Sequence, residues 1–299
     1  MPTSRFNGKT TANEVVDGRD ISNLSVIVTG ANTGIGFETA RAFAQGGARV
    51  VFACRSAQRG QAAVEAVKND TGNKRLEFAS LDLANTESIK SFVAGLAMDK
   101  IDILVCNAGL VVTDYQTTQQ GLEKTVGVCH YGHFLLTRLL LPGLLASGQP
   151  RIVMVSSEAH RSPKTLDFSR FPLAKADYKF MLAYGQAKLA NALMANELQR
   201  RYSDQGLTAC SLHPGTLITT EIGRNSRLMA FLMKLISPLT KTPEQGASTT
   251  MVCALEEAPK VAGQYYSDCQ PFAMSTEAEN PEVAAHLWKL SEQWCESVL

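Results

Sequence analysis

The chain is predicted to fold as one α/β domain around a doubly wound, parallel sheet. Short apolar runs alternate with helical patterns along most of its length, the runs are continuously apolar, and the first ends in a glycine-rich turn. Alternating strands and helices imply right-handed βαβ units. Continuously apolar strands are what a parallel sheet needs when helices cover both of its faces.

In order, Leu24 to Thr29 reads as a first, β-branched strand that meets Gly30, and Ile35 to Gln45 as the helix after it. Ala48 to Cys54 is a second strand, followed by a helix near Ala57 to Lys68. Leu76 to Leu81, Ile101 to Cys106, Arg151 to Val155 and Leu207 to Leu212 continue the strands, with helices at Glu87 to Ala97, Gly121 to Leu145 and Leu182 to Tyr202 between them. Gln264 to Ser267 reads as a last strand, and Glu282 to Val298 as a closing amphipathic helix with Trp288 and Trp294. Residues 1–20 are expected to be a polar extension, and 21–299 a single domain, since no repeat or flexible linker interrupts them.

Composition narrows the function. A formal net charge of +1 with no basic stripe argues against a nucleic-acid partner. The seven cysteines show no metal-type spacing, so no metal site is expected, and free thiols fit a reducing compartment. The N-terminus carries no apolar signal, and the most apolar stretch, Phe134 to Leu145, is broken by Arg138 and Pro142 and too short to span a bilayer. A cytoplasmic protein without a transmembrane segment is the expectation.

The strongest local signal is Thr29-Gly30-Ala31-Asn32-Thr33-Gly34-Ile35-Gly36, where the first strand becomes the first helix. Glycines let a backbone approach a pyrophosphate, and the free N–H groups at a helix start favour an anion. The spacing Gly-x-x-x-Gly-x-Gly differs from the common dinucleotide fingerprint, but its place in a strand–turn–helix makes this a Rossmann-type cofactor turn. Arg55, at the end of the second strand, stands where NAD-binding proteins usually carry an acidic residue. A guidaninium there pairs with the 2′-phosphate, so NADP(H) is favoured, with NAD(H) as the alternative.

Tyr184 and Lys188 lie at i and i+4, on one face of a predicted helix. An ammonium stabilises the phenolate form of a neighbouring phenol, which suits the pair to general acid/base work on an alcohol or carbonyl. Alone, the spacing is also that of an ordinary tyrosine packed over a lysine stem.

Taken together, Thr29 to Gly36, Asp82 in Leu81-Asp82-Leu83, Asn107-Ala108-Gly109, Ser156-Ser157, Tyr184 to Lys188 and Pro214-Gly215 arrive in an order that resembles the short-chain dehydrogenase/reductase family. The resemblance runs over nearly the whole chain after residue 20. It implies that Gly30, Asn32, Thr33, Gly34, Ile35 and Gly36 cradle the pyrophosphate, that Asp82 and Leu83 lie at the adenine, and that Asn107, Ala108 and Gly109 support the sheet beside the cofactor. It further implies that Ser157 hydrogen-bonds the substrate oxygen, Tyr184 transfers the proton and Lys188 also holds the nicotinamide ribose. Pro214, Gly215 and Thr219 would lie along the nicotinamide. Phrases such as Ala53-Cys54-Arg55, Gly132 to Thr137 and Val155 to Arg161 are similar to retinol dehydrogenases and to the oxidoreductase domain of WW-domain-containing oxidoreductases. Homodimers or homotetramers are the assemblies this family implies.

One departure bears on catalysis. The family usually carries a water-binding Asn in a phrase here read as Val128-Cys129-His130-Tyr131-Gly132-His133-Phe134. Cys129 replaces it, and a thiol is a poor partner for an ordered water. His130 and His133 are expected to cap or pack against the helix rather than replace it. Beyond Pro214-Gly215, the run Leu228 to Leu239 suggests an apolar, Met-rich lid near 216–242, with a core helix or a peripheral membrane or subunit contact as competing readings. The expected activity is NADP(H)-dependent interconversion of a lipophilic alcohol and its carbonyl, such as a retinoid, steroid or terpenoid. The alternative, raised by Cys129, is a catalytically weak NADP(H)-binding scaffold or sensor.

Overall fold

The computed structural model describes residues 4–215 and 241–299. Eight strands among the described residues form one sheet: β1 Ser25–Thr29, β2 Arg49–Cys54, β3 Leu76–Ser80, β4 Ile103–Cys106, β5 Arg151–Val155, β6 Thr208–His213, β7 Tyr265–Ser267 and β8 Gln270–Pro271. Their order is β3-β2-β1-β4-β5-β6-β7-β8. Every neighbouring pair is parallel except β7 with β8. The chain reverses its direction of travel between β1 and β4, the position at which open α/β sheets bind ligands beyond the carboxyl ends of their strands.

The helices are α1 Ala12–Val16, α2 Gly34–Gln45, α3 Ala57–Thr71, α4 Thr86–Ala94, α5 Lys124–Val126, α6 Gly132–Leu145, α7 Phe180–Tyr202, α8 Pro243–Leu255, α9 Ala258–Val261, α10 Thr276–Glu279 and α11 Pro281–Val298. Side chains that alternate along each strand serve opposite layers. Val26 and Val28 of β1, with Val50 and Phe52 of β2, meet Phe43 of α2 and Met251 of α8. Ile27, Val51 and Leu104 face the other way, toward Ile89, Phe134 and Leu198. On that second face α11 closes the layer through Trp288, only 2% exposed, whose ring stands edge-on to Phe134 at 4.8 Å. Truncating a buried indole of this kind costs roughly 3–5 kcal/mol.

The helices expected on either side of β4 differ from the sequence reading. The helix expected from Gly121 starts at Lys124, because Gly121 takes φ +79° and the preceding segment turns back on itself, with Thr118 N–H donating to Leu122 C=O at 2.8 Å. Glu123 then caps α5, its carboxylate accepting from Thr125 N–H and Val126 N–H. Between α5 and α6, Gly127–Tyr131 forms a π-helical turn that contains Cys129. The helix expected over Glu87 to Ala97 runs from Thr86, capped by the Asn85 side chain, and ends at Ala94, before Gly95.

The first twenty residues, expected as a polar extension, contribute to the core. Thr11 and Glu14 form a capping box for α1, and Phe6, Ala12, Val15 and Val16 are buried in the layer shared with α2 and α8. A short apolar pair within a polar run carries too little periodicity to announce this packing. All seven cysteines are buried free thiols. Among the described residues, no helix is long and apolar enough to cross a membrane.

Candidate active site

The candidate residues gather where the strands end. At the close of β1, Gly30 takes φ +69° and donates its N–H to Ala53 C=O of β2 at 2.8 Å. Gly34, at φ +58°, starts α2. Gly36 has an ordinary backbone but no room for a side chain, since a Cβ there would overlap the Asn107 amide and the Gly30 carbonyl. The glycines therefore answer to two different constraints, chain reversal and close approach. Asn32 and Ile35 are half-buried within the turn, and the exposed Thr33 at the N-cap of α2 makes no side-chain cap. The first N–H groups of α2 are left without that partner. This cradle fits a pyrophosphate.

The Thr29 hydroxyl holds the turn in place. It accepts from the N–H groups of Asn107 and Ala108, at 3.0 and 2.9 Å, while the Asn107 side-chain amide donates to Thr29 C=O at 2.8 Å. It also lies 2.9 Å from His133 Nε2. His133 Nδ1 is 3.0 Å from Cys129 C=O. A carbonyl only accepts, so the proton sits on Nδ1, Nε2 offers a lone pair, and Thr29 donates to it. One hydroxyl thereby joins β1, the segment after β4 and the π turn. Gly109 completes the junction, with Lys188 Nζ and Cys129 Sγ at 3.4 and 3.5 Å from where its Cβ would stand.

On the opposite side of the junction stands α7. Lys188 is 4% exposed, its Nζ donating to Val155 C=O at 2.9 Å and lying 5.6 Å from the Tyr184 ring centroid. Tyr184 itself is half-buried and so open to a ligand. Gly185 lets the helix press against the turn after β5, because a Cβ there would stand 3.0 Å from Ala159 C=O and from the Pro163 ring. The two serines of that turn separate by role. Ser156 is buried and donates to Lys188 C=O at 2.6 Å, which ties β5 to α7. Ser157 is half-buried, and its Oγ accepts from Ala159 N–H at 3.2 Å, which leaves its own proton for a ligand.

The remaining candidates line the same edge. Arg55 is exposed two positions beyond Ala53, beside the Gly30 turn. Asp82 follows β3, and Leu81 N–H donates to Cys54 C=O, so Asp82 neighbours Arg55. The Asp82 carboxylate accepts from Ala84 N–H at 2.9 Å, and Leu83 packs where Gly132 opens α6. Pro214 is buried after β6, and Gly215 takes φ +121°. Thr219 and the apolar run Leu228 to Leu239 lie outside the described residues. Sequence reasoning passed over Phe180 and Met181, which are 41% and 53% exposed. They precede Tyr184 by four and three positions and so share its face of α7, a spacing the sequence already displays.

A parallel core in the order 3-2-1-4-5-6, with a glycine turn on the switch point, defines a dinucleotide-binding α/β protein. The profile of the family described as short chain dehydrogenase matches residues 25–169. The chain is 42% identical over 298 residues to the WW domain-containing oxidoreductase of Gallus gallus, spanning 97% of this chain and 72% of that one. It is 44% identical over 269 residues to retinol dehydrogenase 11 of Homo sapiens, spanning 89% and 84%. A crystal structure of an uncharacterized protein from Mycobacterium Paratuberculosis superposes with a TM-score of 0.77 at 32% identity, over 94% of this chain and 97% of that one. The chain belongs to the short-chain dehydrogenase/reductase family and is an oxidoreductase related to the retinol dehydrogenases.

The junction also sets a pH dependence. Burial, reinforced by the neighbouring His133, pushes the His130 imidazole down to about 3, and burial lowers His133 to about 4 despite its bond to Cys129. His130 Nε2 lies 2.7 Å from Ser291 Oγ, whose hydroxyl donates to Leu287 C=O, so Nε2 carries the proton and burial keeps the ring neutral. Both values are depressed below the usual 6.5, so unfolding takes up protons, and the stability present above about pH 6.5 is lost as pH falls toward 4. Each histidine contributes up to about 1.4 kcal/mol per pH unit in that window. Urea unfolding at pH 5 should therefore give a free energy lower than at pH 7 by on the order of 3 kcal/mol. Equal stabilities at the two pH values would contradict neutral, buried histidines.

Proposed function

We propose that the protein is an NADP(H)-dependent oxidoreductase that interconverts a lipophilic alcohol and its carbonyl, with Tyr184 as general acid/base. The observation that carries this reading is the half-buried Tyr184 phenol beside the buried Lys188 ammonium, at the edge that also holds Ser157. When bound, the nicotinamide supplies or receives the hydride. The Thr29–Gly36 turn would hold the pyrophosphate, Arg55 the 2′-phosphate, and Asp82 with Leu83 the adenine end. Asn107, Ala108 and Gly109 would back the cofactor, Lys188 would hold its ribose, and Pro214, Gly215 and Thr219 would flank the nicotinamide.

The chain's own groups then divide the work. Ser157, its acceptor side already occupied by Ala159 N–H, donates its hydroxyl proton to the substrate oxygen. In reduction, Tyr184 gives its proton to that oxygen as negative charge builds there; in oxidation it takes the proton back. The Lys188 ammonium, 5.6 Å from the Tyr184 ring centroid, places positive charge beside the phenol that gives the proton in reduction and the phenolate that takes it in oxidation. The exposed Phe180 and Met181 on the Tyr184 face suit an apolar substrate such as a retinoid, steroid or terpenoid.

A second reading, a cofactor-binding scaffold with little turnover, rests on Cys129. Its Sγ is buried, donates to Leu110 C=O at 3.7 Å, and has its pKa raised by desolvation. It therefore offers little to an ordered water behind Lys188.

With NADPH and a panel of retinal, steroid ketones and terpenoid ketones, followed by NADPH absorbance, at least one substrate should be turned over. Tyr184→Phe should lower that turnover by about 10²–10⁴-fold. Undiminished activity in Tyr184→Phe would refute the mechanism, and tight NADPH binding with no turnover by the native chain would favour the scaffold. Arg55→Asp should weaken NADPH binding by more than about tenfold and leave NADH binding nearly unchanged. Equal losses for both cofactors would overturn the assignment of Arg55.

A further inference from the structure

Two histidines grip a single peptide unit, the one between Ser157 and Glu158. Its carbonyl oxygen lies 2.7 Å from His160 Nδ1, and its N–H donates to His213 Nδ1 at 3.3 Å. Because a carbonyl only accepts, His160 carries its proton on Nδ1. Its Nε2 lone pair then receives Ser275 N–H at 3.2 Å. His213 holds the opposite tautomer, with Nδ1 as acceptor and the proton on Nε2. Both rings are buried, and desolvation lowers both pKa values, so each stays in the neutral form its bonds require.

The two rings come from different parts of the fold. His160 stands in the short turn that follows Ser157, and His213 is the last residue of β6. Ser157 itself is extended, at φ −163° and ψ 160°, and its carbonyl also receives His160 N–H at 3.0 Å. Fixing the following peptide plane restricts ψ of Ser157 and so the direction in which Cβ leaves the backbone, while the bond from Ala159 N–H to Oγ in the same turn holds χ1. Tyr265, at 4.8 Å between ring centroids, presses on His160 and brings its hydroxyl to 3.3 Å from Nδ1.

We infer that His160 and His213 are positioning residues for Ser157, clamping the Ser157–Glu158 peptide plane from both ends and so aiming the Ser157 hydroxyl. Through Ser275, His160 also registers this plane against the segment that enters α10. Arg161, next in sequence, donates to Ala273 C=O in the same segment, and Leu166 N–H donates to Glu277 at 2.7 Å. The turn that seats the serine is thus tied at three points to residues 273–277. The kinetic part of this inference rests on Ser157 being the donor to the substrate oxygen, as proposed above.

The test uses the full chain and four variants. His160→Asn keeps an N–H near the Nδ1 position but offers no acceptor to Ser275, and His160→Leu removes both. His213→Asn keeps an acceptor for Glu158 N–H, and His213→Leu removes it. With hydrogen exchange read at residues 157–161 and 274–276, His160→Leu should lose protection in both segments, and His160→Asn only in the second. Steady-state kinetics should show kcat reduced by about tenfold or more in both Leu variants, consistent with the cost of misplacing a reacting group. Both Asn variants should return to within about threefold of the native kcat. Asn variants as slow as the Leu variants at equal folded fraction, or a His160→Leu enzyme at native kcat, would overturn the inference. Should the native chain turn over no carbonyl, the proposed function fails instead, and exchange alone decides the clamp: native protection of Ser275 N–H in His160→Leu sinks it.

Discussion

The site depends on one buried hydroxyl. Thr29 Oγ1 accepts two backbone N–H groups and donates to an imidazole, so all of its capacity is used inside the protein. Each such bond contributes only about 1 kcal/mol net. The asymmetry matters more, because removing the hydroxyl leaves Asn107 N–H, Ala108 N–H and His133 Nε2 each short of a partner at a junction with little water to replace it. The glycine turn begins at the next residue, and only glycine fits at position 36 because the Asn107 amide is held against Thr29 C=O. The glycine turn, the end of β4 and, through His133, the π turn thus meet at one hydrogen-bonding node.

The polar groups around this node are organised to stay uncharged. Four histidines, His130, His133, His160 and His213, are buried. For the last three, a bond to a carbonyl or from an N–H decides which nitrogen holds the proton. Each acts as a short rigid bridge between segments far apart in sequence, not as a group that titrates near neutral pH. The lysine at this corner is Lys188, which reaches it from α7 and stands next to Gly109 and Cys129. Cys129 keeps the volume at that corner filled, and its thiol turns to Leu110 C=O rather than toward Lys188.

Much of this architecture was legible beforehand, for physical reasons. Continuous apolar runs ending in glycine announce parallel strands and the Thr29–Gly36 turn, and the i,i+4 spacing of Tyr184 and Lys188 is a local property of any helix. What stayed hidden depends on contacts distant in sequence. That Ser156 is structural and Ser157 open is decided by Lys188 C=O, and the histidines owe their roles to Thr29, Ser275 and the Ser157–Glu158 peptide. The π turn at Gly127–Tyr131 has no periodic signature of its own, and the polar run before β1 conceals Phe6, Val15 and Val16.

The Thr29 hydroxyl, not merely the glycines, shapes the turn proposed to hold the cofactor. The most direct measurement compares Thr29→Val with Thr29→Ser for nicotinamide-cofactor affinity and urea stability. Valine keeps the shape and removes the hydroxyl; serine keeps the hydroxyl. The account predicts that Thr29→Val loses about 2–4 kcal/mol of stability and more than tenfold in cofactor affinity, while Thr29→Ser stays close to the native chain. A Thr29→Val protein that binds the cofactor as tightly as the native one would contradict it.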